Sequence, residues 1–362
     1  MTKPLVLGMT PQDLAREGLS TDVQAWEDGL RAETGAGSFE WWYFDAHLDN
    51  GAIVVIVFAT KPILERNGPL KPVVLLTLTC PTGERLSRAA FFPADQFHAS
   101  RESCQVAIGP HSVQGDLHTY HLHVEMPAEA ESDSSPITID LTFQGLLRPW
   151  RPGTGKVYFG NTKQYFAWLP AMPHGQVQGT IQCNGKTQPV SGRGYHDHNW
   201  GNIGLDEVMD HWYWGRAQVG EYTLIYAEQV TARAYGYARI PVFLLAKGNQ
   251  VLTEDASNLT MKACHFVSHP SGRSWPREID FYWQAAKDRI HISLRQPKII
   301  EVINLLRSFP TWKRFLLRLL ANPYYFRFQA ELVLSVHWGG VHATERGSAL
   351  YELMILQGRK HP

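Results

Sequence analysis

Cysteine is scarce in this chain and widely scattered. Its four cysteines, Cys80, Cys104, Cys183 and Cys264, form no Cys-x-x-Cys pair, which speaks against a structural zinc site and against a disulfide framework. A reducing cytoplasm is the expected setting. An excess of either charge is missing too: 34 Lys and Arg stand against 34 Asp and Glu, with no long run of one sign. The basic face of a nucleic-acid binder is therefore not expected. No apolar run is long enough to span a bilayer, and the opening MTKPLVLGMTPQDLAREG has no long apolar core of the kind a secretory signal carries. The chain also lacks a Gly-x-Ser-x-Gly elbow, a cysteine in a recognisable nucleophile motif, and a glycine-rich phosphate loop after a strand. Triad-type hydrolysis and nucleotide chemistry are disfavoured, and no cofactor is expected.

Aromatic residues are plentiful: 12 Trp, 14 Tyr and 16 Phe, many of the tryptophans beside charged residues. On β-strands such rings mostly fill barrel or sandwich cores, so a single tryptophan is not evidence of a site. Short alternating or apolar segments separated by turn signals recur almost throughout, among them FEWWYFDAHL, AIVVIVFAT, LHTYHLHVEM, ITIDLTFQGL and EYTLIYAEQVTA. Asp49-Asn50-Gly51 and Asn184-Gly185 mark two hairpins, since Asn-Gly tolerates the positive φ of a tight turn.

This spacing predicts an all-β chain of barrels or sandwiches. The glycines and acids of GNIGLDEVMD place a boundary that gives two β-domains, residues 1–205 and 206–362. Helix is expected in PQDLAREGL and in IEVINLLRSFPTWKRFLLRLLANP, where Phe315, Leu316, Leu319 and Leu320 recur at helical spacing beside Lys313, Arg314 and Arg318. Pro310 would start or kink that short amphipathic helix near the C-terminus, and Pro323 would follow it. It is expected to cap a barrel, with peripheral membrane contact as the alternative.

Three motifs combine aromatic and polar residues: Glu40-Trp41-Trp42-Tyr43, Tyr195-His196-Asp197-His198-Asn199-Trp200, and His211-Trp212-Tyr213-Trp214-Gly215-Arg216. On a strand, alternation sends Tyr195, Asp197 and Asn199 to one face and His196, His198 and Trp200 to the other. Trp212, Trp214 and Arg216 would likewise project together. His-x-His can supply two metal ligands in a β-barrel, but the carboxylate expected soon after is missing: Asp206 and Glu207 come late. His118, His121, His123 and His211 complete no recognised spacing, so no metal is expected. A hydrogen-bonded polar seam is the plain alternative.

The blocks EWWYFDA, FAWLPAMPHGQVQGTI, GRGYHDHNWGN and HWYWGRAQVGEYTLIYAEQV resemble the carotenoid hydratase (hydroxyneurosporene synthase) family, which is related to AttH-like proteins and fungal decalin-forming Diels–Alderases. The match runs from about residue 38 to residue 230. The resemblance implies two lipocalin-like β-domains, an apolar pocket at or near their junction, and acid-assisted chemistry on a lipophilic polyene. The family's proposed proton donor falls on Asp197, its tyrosine on Tyr195 and an upstream aromatic on Trp168.

Such chemistry needs an aspartic acid kept neutral by burial and ring faces that stabilise a cation. Trp41, Tyr43, Trp200, Trp212 and Trp214 are candidates for the pocket wall. Arg216 and Glu40 are candidates for a polar substrate end, although a salt bridge between strands is the plainer reading for both. His196 and His198 would position the strand or relay protons. The expected function is a cofactor-free hydratase or cyclase acting on a small lipophilic isoprenoid or polyene. A pericyclase and a non-catalytic carrier of lipophilic ligands are the alternatives.

Overall fold

The computed structural model describes residues 2–128, 135–160, 163–306 and 323–357. The protein is all-β and lipocalin-like in both halves. It divides into two units, Leu5–Gly204, and Leu205–Pro362 together with the first four residues.

In the first unit the strand order is Arg85–Phe91, Val73–Thr79, Ile53–Ala59, Phe39–Leu48, Lys186–Gly201, Tyr165–Cys183, Ile137–Gly145, Thr119–Met126, His111–Gly115, Cys104–Ile108 and Phe97–Ala99. All these neighbours pair antiparallel. Alternation decides which side chains go in. In Thr119–Met126, Tyr120, Leu122, Val124 and Met126 are buried while His121 and Glu125 are exposed, the period of two expected of a strand with one wet face.

The two longest strands of this unit meet at Asn184-Gly185, where φ is 52° and 71°. Positive φ at both positions is the two-residue turn that suits twisted strands. At Asp49-Asn50-Gly51 the loop has three residues instead. The Gly51 N–H donates to the Leu48 carbonyl, Asn50 Oδ1 accepts from the Ala52 N–H, and Gly51 alone takes positive φ, 88°. Tyr165–Cys183 shifts register between Leu169 and Met172 and again between Met172 and Gly175. Pro170 and Pro173 lie in these gaps, and a residue without an N–H is tolerated in a sheet at such bulges.

The second unit orders its strands Gln250–Thr253, Arg239–Lys247, Tyr222–Thr231, Met209–Val219, Val341–Ile355, Tyr324–Trp338, Asp288–Asn304, Ser274–Ala285 and Leu259–Ser268. Helix is sparse. Pro11–Glu17 forms one, capped by Thr10 and Asp13, which satisfy each other's backbone N–H groups. The expected C-terminal helix differs at its start: Ile300–Asn304 ends a strand paired with Tyr324–Arg327, where β-branched Ile299, Ile300, Val302 and Ile303 suit a sheet. Residues 307–322, which hold the rest of the proposed helix, lie outside the described residues. Among those described, no helix is long and apolar enough to cross a membrane.

Candidate active site

Lys186–Gly201 pairs with Phe39–Leu48 on one side and Tyr165–Cys183 on the other, so three long strands frame its side chains. It begins to enter the interior at Gly194. A Cβ there would lie 2.4 Å from the Phe143 ring and 2.5 Å from Val177, so only glycine lets the three strands close at this level. The next residues alternate. Tyr195, Asp197 and Asn199 occupy the face turned away from the apolar core, opposite Asp45, Tyr43 and Trp41 respectively.

The outer face is buried at its centre: Tyr195 is 0% and Asp197 7% exposed. Asp197 Oδ2 accepts from Trp168 Nε1 at 2.8 Å and from the Tyr195 hydroxyl at 2.8 Å. Its Oδ1 accepts from Asn199 Nδ2 at 2.7 Å. The Tyr195 ring meets Tyr43 edge-on, and Trp168 meets Trp150 edge-on. Burial first, and the neighbouring Asp197 charge second, hold the Tyr195 phenol well above its ordinary pKa; it remains a hydrogen-bond donor. The result is a buried carboxyl group held by three donors beside half-buried Trp41 and Tyr43.

His196, His198 and Trp200 point to the core side, where Trp42 and Phe44 also lie. His196 stacks on Phe44 at 3.9 Å, and His198 lies 4.7 Å from Trp42 and 4.6 Å from Trp200, ring centre to ring centre. Two carboxylates meet these histidines. Asp28 Oδ2 is 3.0 Å from His196 Nε2 and accepts from the Tyr120 hydroxyl at 2.6 Å. Glu40 Oε1 is 2.7 Å from His198 Nε2. The Glu40 carboxylate also accepts the backbone N–H groups of Arg31 and Ala32, each at 2.7 Å.

Trp200, Glu40, His196 and His198, all among the candidate site residues, lie on the core side of the sheet. Trp200 packs with His198 in the core, across the sheet from Asp197, because alternation puts them on opposite faces. Glu40, His196 and His198 are fully buried and tied to one another's surroundings on that same core side. Trp212, Trp214 and Arg216 belong to the second unit, on the strand Met209–Val219. They alternate with Tyr213, Ala217 and Val219, which line that unit's core.

Sequence reasoning missed Asp28, Asp45 and Trp150. Asp28 lies 168 residues from His196, in the short 3₁₀ turn Ala25–Asp28, and no local pattern announces it. Asp45 shares the outer face and is 1% exposed; the alternation of EWWYFDA could have placed it beside Trp41 and Tyr43. Two surface clefts of the first unit, one of about 460 Å³ bordered by His121, His123, Asp140 and Thr142, the other of about 260 Å³ bordered by Gln144, Gln176 and Ser191, do not include Asp197. The buried carboxyl, not cleft size, defines the candidate.

Comparison with known proteins places this geometry. The Diels-Alderase-like family model matches residues 32–269, a span that holds Trp41, Trp168, Tyr195 and Asp197. The chain belongs to the Diels-Alderase-like family. A curated relative within reach of it is a quinolone epoxide rearrangement protein of Penicillium thymicola, 26% identical over 216 residues, 53% of this chain and 56% of that protein. The chain thus spans about half the length of this curated relative.

Among solved structures, a putative AttH from Nitrosomonas europaea aligns with a TM-score of 0.58 at 14% identity, covering 98% of this chain and 100% of the other. Kievitone hydratase from Nectria haematococca aligns at 0.52 and 11% identity, covering 93% and 96%. At these identities the structures establish the shared fold. The family resemblance read from EWWYF and YHDHNWG is met at that level.

Proposed function

We propose that the protein is a hydratase- or pericyclase-type catalyst acting on a small lipophilic substrate, with Asp197 as its acid. The supporting observation is Asp197 itself: a carboxyl group buried on an aromatic face, with Trp168 and Tyr195 on one oxygen and Asn199 on the other. Burial without purpose is costly for such a group, and membership of a family named for Diels–Alderases favours a catalytic purpose over a carrier.

In this reading the two donors on Oδ2 leave Oδ1 as the oxygen that carries the acidic proton. Protonation there turns the Asn199 amide so that its carbonyl accepts. Transfer of that proton to a trisubstituted alkene produces a tertiary cation, and the carboxylate left behind is at once held by Trp168 and Tyr195. Trp41 and Tyr43, half-buried beside it, offer ring faces to the cation; desolvated contacts of this kind contribute about 2 kcal/mol. Capture by water or an internal hydroxyl, with the oxonium proton returned to the Asp197 carboxylate, completes hydration or ether closure. Capture by an internal alkene moves the cation to a new carbon, and loss of an adjacent proton to the same carboxylate completes cyclisation.

The second reading keeps the same residues without proton transfer to carbon. Tyr195 or protonated Asp197 donates to an activated dienophile, and positioning supplies most of the acceleration. The family description favours this reading.

Reaction in D2O with acyclic isoprenoid and polyene candidates separates the two. Protonation leaves deuterium on carbon in the product, and a pericyclic reaction leaves none. Asp197→Asn is expected to lower turnover by about 10²–10⁴-fold, the usual worth of a positioned acid, with the fold intact by circular dichroism. Undiminished turnover in that variant would remove Asp197 from the mechanism. A lipophilic compound bound tightly and recovered unaltered would favour a carrier.

A further inference from the structure

The core face of the strand that carries Asp197 holds a second polar centre, which the proposed reaction does not use. Asp28 is its middle. His196 Nε2 lies 3.0 Å and 3.3 Å from the two Asp28 oxygens, and His198 Nδ1 lies 3.4 Å from Asp28 Oδ1. Asp28, Cys104 and His196 are all buried, and each offers a ligand atom within 4.8 Å of the others. His198 Nδ1 is buried, makes no hydrogen bond, and points into the same cluster.

The outward nitrogens of both histidines are already anchored. His196 Nδ1 meets the Tyr43 carbonyl at 2.9 Å, and His198 Nε2 meets the Glu40 carboxylate at 2.7 Å. A carbonyl and a carboxylate can only accept, so each outward nitrogen carries a hydrogen. A neutral ring then turns a lone pair inward, towards Asp28. A backbone carbonyl or a carboxylate behind the imidazole is the arrangement that orients histidine ligands in metal sites.

Charge balance points the same way. Asp28 and Glu40 bring two negative charges into an apolar barrel, and among the described residues no Lys or Arg side chain donates to either carboxylate. Buried charge must be compensated. Either both histidines are imidazolium ions, each with a proton on its inward nitrogen, or a divalent cation stands where those protons would be.

We infer that the first barrel holds a divalent metal site of zinc character, with Asp28, His196, His198 and Cys104 as its ligands. One thiolate, two imidazoles and one carboxylate form a donor set suited to four-coordinate zinc. Zinc bonds of about 2.0–2.3 Å put ligand atoms roughly 3.3–3.8 Å apart. Asp28, Cys104 and His196 lie within 4.8 Å of one another and His198 Nδ1 lies 3.4 Å from Asp28, so metal binding must draw the Cys104 and His198 side chains inward. Binding releases the Cys104 thiol proton to solvent, and with it any protons on the two inward nitrogens. This site lies across the sheet from Asp197 and does not depend on the proposed reaction.

The test uses the full chain and the metal alone. Protein denatured, stripped with chelator and refolded with Zn²⁺ or Co²⁺ gives the ion access to the closed core. The expected result is one ion per chain by elemental analysis, with a thiolate-to-cobalt charge-transfer band and the strong visible bands of tetrahedral cobalt. Cys104→Ser should lose the charge-transfer band while keeping the wild-type circular dichroism. Should that variant fail to fold, long-range ¹H–¹⁵N spectra of the wild type decide: a metal-bound, unprotonated inward nitrogen on each histidine supports the site. Metal-free refolded protein in which both nitrogens of His196 and His198 carry hydrogens overturns it, the two imidazolium ions then being the counter-charge.

Discussion

The two β-units solve the same architectural problem with different interiors. In the second unit the core is apolar apart from tyrosine hydroxyls: Tyr213, Tyr226 and Tyr351 sit among Phe326, Phe328, Leu334 and Ile292. In the first, a comparable shell of Val, Leu, Ile and Phe surrounds Asp28, Glu40, His196 and His198. The second unit also buries charge, as in the Arg327–Glu301 pair. Arg327, however, alternates with Phe326 and Phe328 and so stands off the face that lines the core cluster, whereas the first unit sets its charge on the core side. That ionic centre joins the Ala25–Asp28 turn and the backbone of Arg31 and Ala32 to the strand that carries Asp197, so that strand is held from behind by groups distant in sequence.

The sharpest way to break this comparison is to remove the centre of the ionic cluster. Asp28→Ala leaves the Tyr120 hydroxyl without its acceptor and removes the carboxylate that faces His196 and His198 inside an apolar barrel. With protons or a cation as the counter-charge, it should cost about 3–5 kcal/mol, the range found when one member of a buried charged group is deleted. Denaturant unfolding followed separately in each unit, with a tryptophan probe and native-state hydrogen exchange, should show the loss in the first. A loss below about 1 kcal/mol would mean that the quartet is not structurally important.

A third buried histidine refines the contrast. His111 Nδ1 accepts the Glu125 backbone N–H at 3.1 Å, a role open only to a neutral ring, and burial pulls its pKa down to about 4. The unfolded chain binds this proton near pH 6.5 and the folded one does not. Stability is therefore fully present above pH 6.5 and declines as pH falls towards about 4, by up to about 1.4 kcal/mol per pH unit. Urea unfolding of wild type and His111→Gln across that window should show a shallower slope in the variant; equal slopes would assign the acid sensitivity to other groups.

The smallest effect is expected in the second unit. The Tyr226 hydroxyl is buried and meets no hydrogen-bonding partner among the described residues, so Tyr226→Phe removes an unsatisfied polar atom. Stability should stay within about 1 kcal/mol of wild type or rise. A clear loss would point to an ordered water holding that hydroxyl, and would make the second interior more polar than its side chains suggest.

Legibility in the sequence divides along the same line. Period-two alternation in Thr119–Met126 and Ile137–Gly145 follows from one apolar and one wet face, and is visible residue by residue. The split of Tyr195, Asp197 and Asn199 from His196, His198 and Trp200 follows from the same rule. The three-residue span Asp49-Asn50-Gly51 was legible from the strands that flank it, but the hydrogen bonds that close it were not. The same dipeptide chemistry serves two loop lengths, and the flanking strands choose between them. The strand at Ile300–Asn304 was hidden because its hydrophobic spacing also suits a helix, and its pairing with the chain at Tyr324 decides.

By itself the sequence determined that this is an all-β protein and which neighbours share the face of Asp197, because those properties depend only on alternation and local turn chemistry. The choice of Asp197 as candidate acid came from the family resemblance. Tertiary structure alone decided that Trp168 and Asn199 grip the same carboxyl as Tyr195, that Glu40 serves the core and not the outer face, and that Asp28 and Cys104 meet the two histidines. Those meetings depend on strand register and on closure of the barrel, which bring together residues with no shared local pattern.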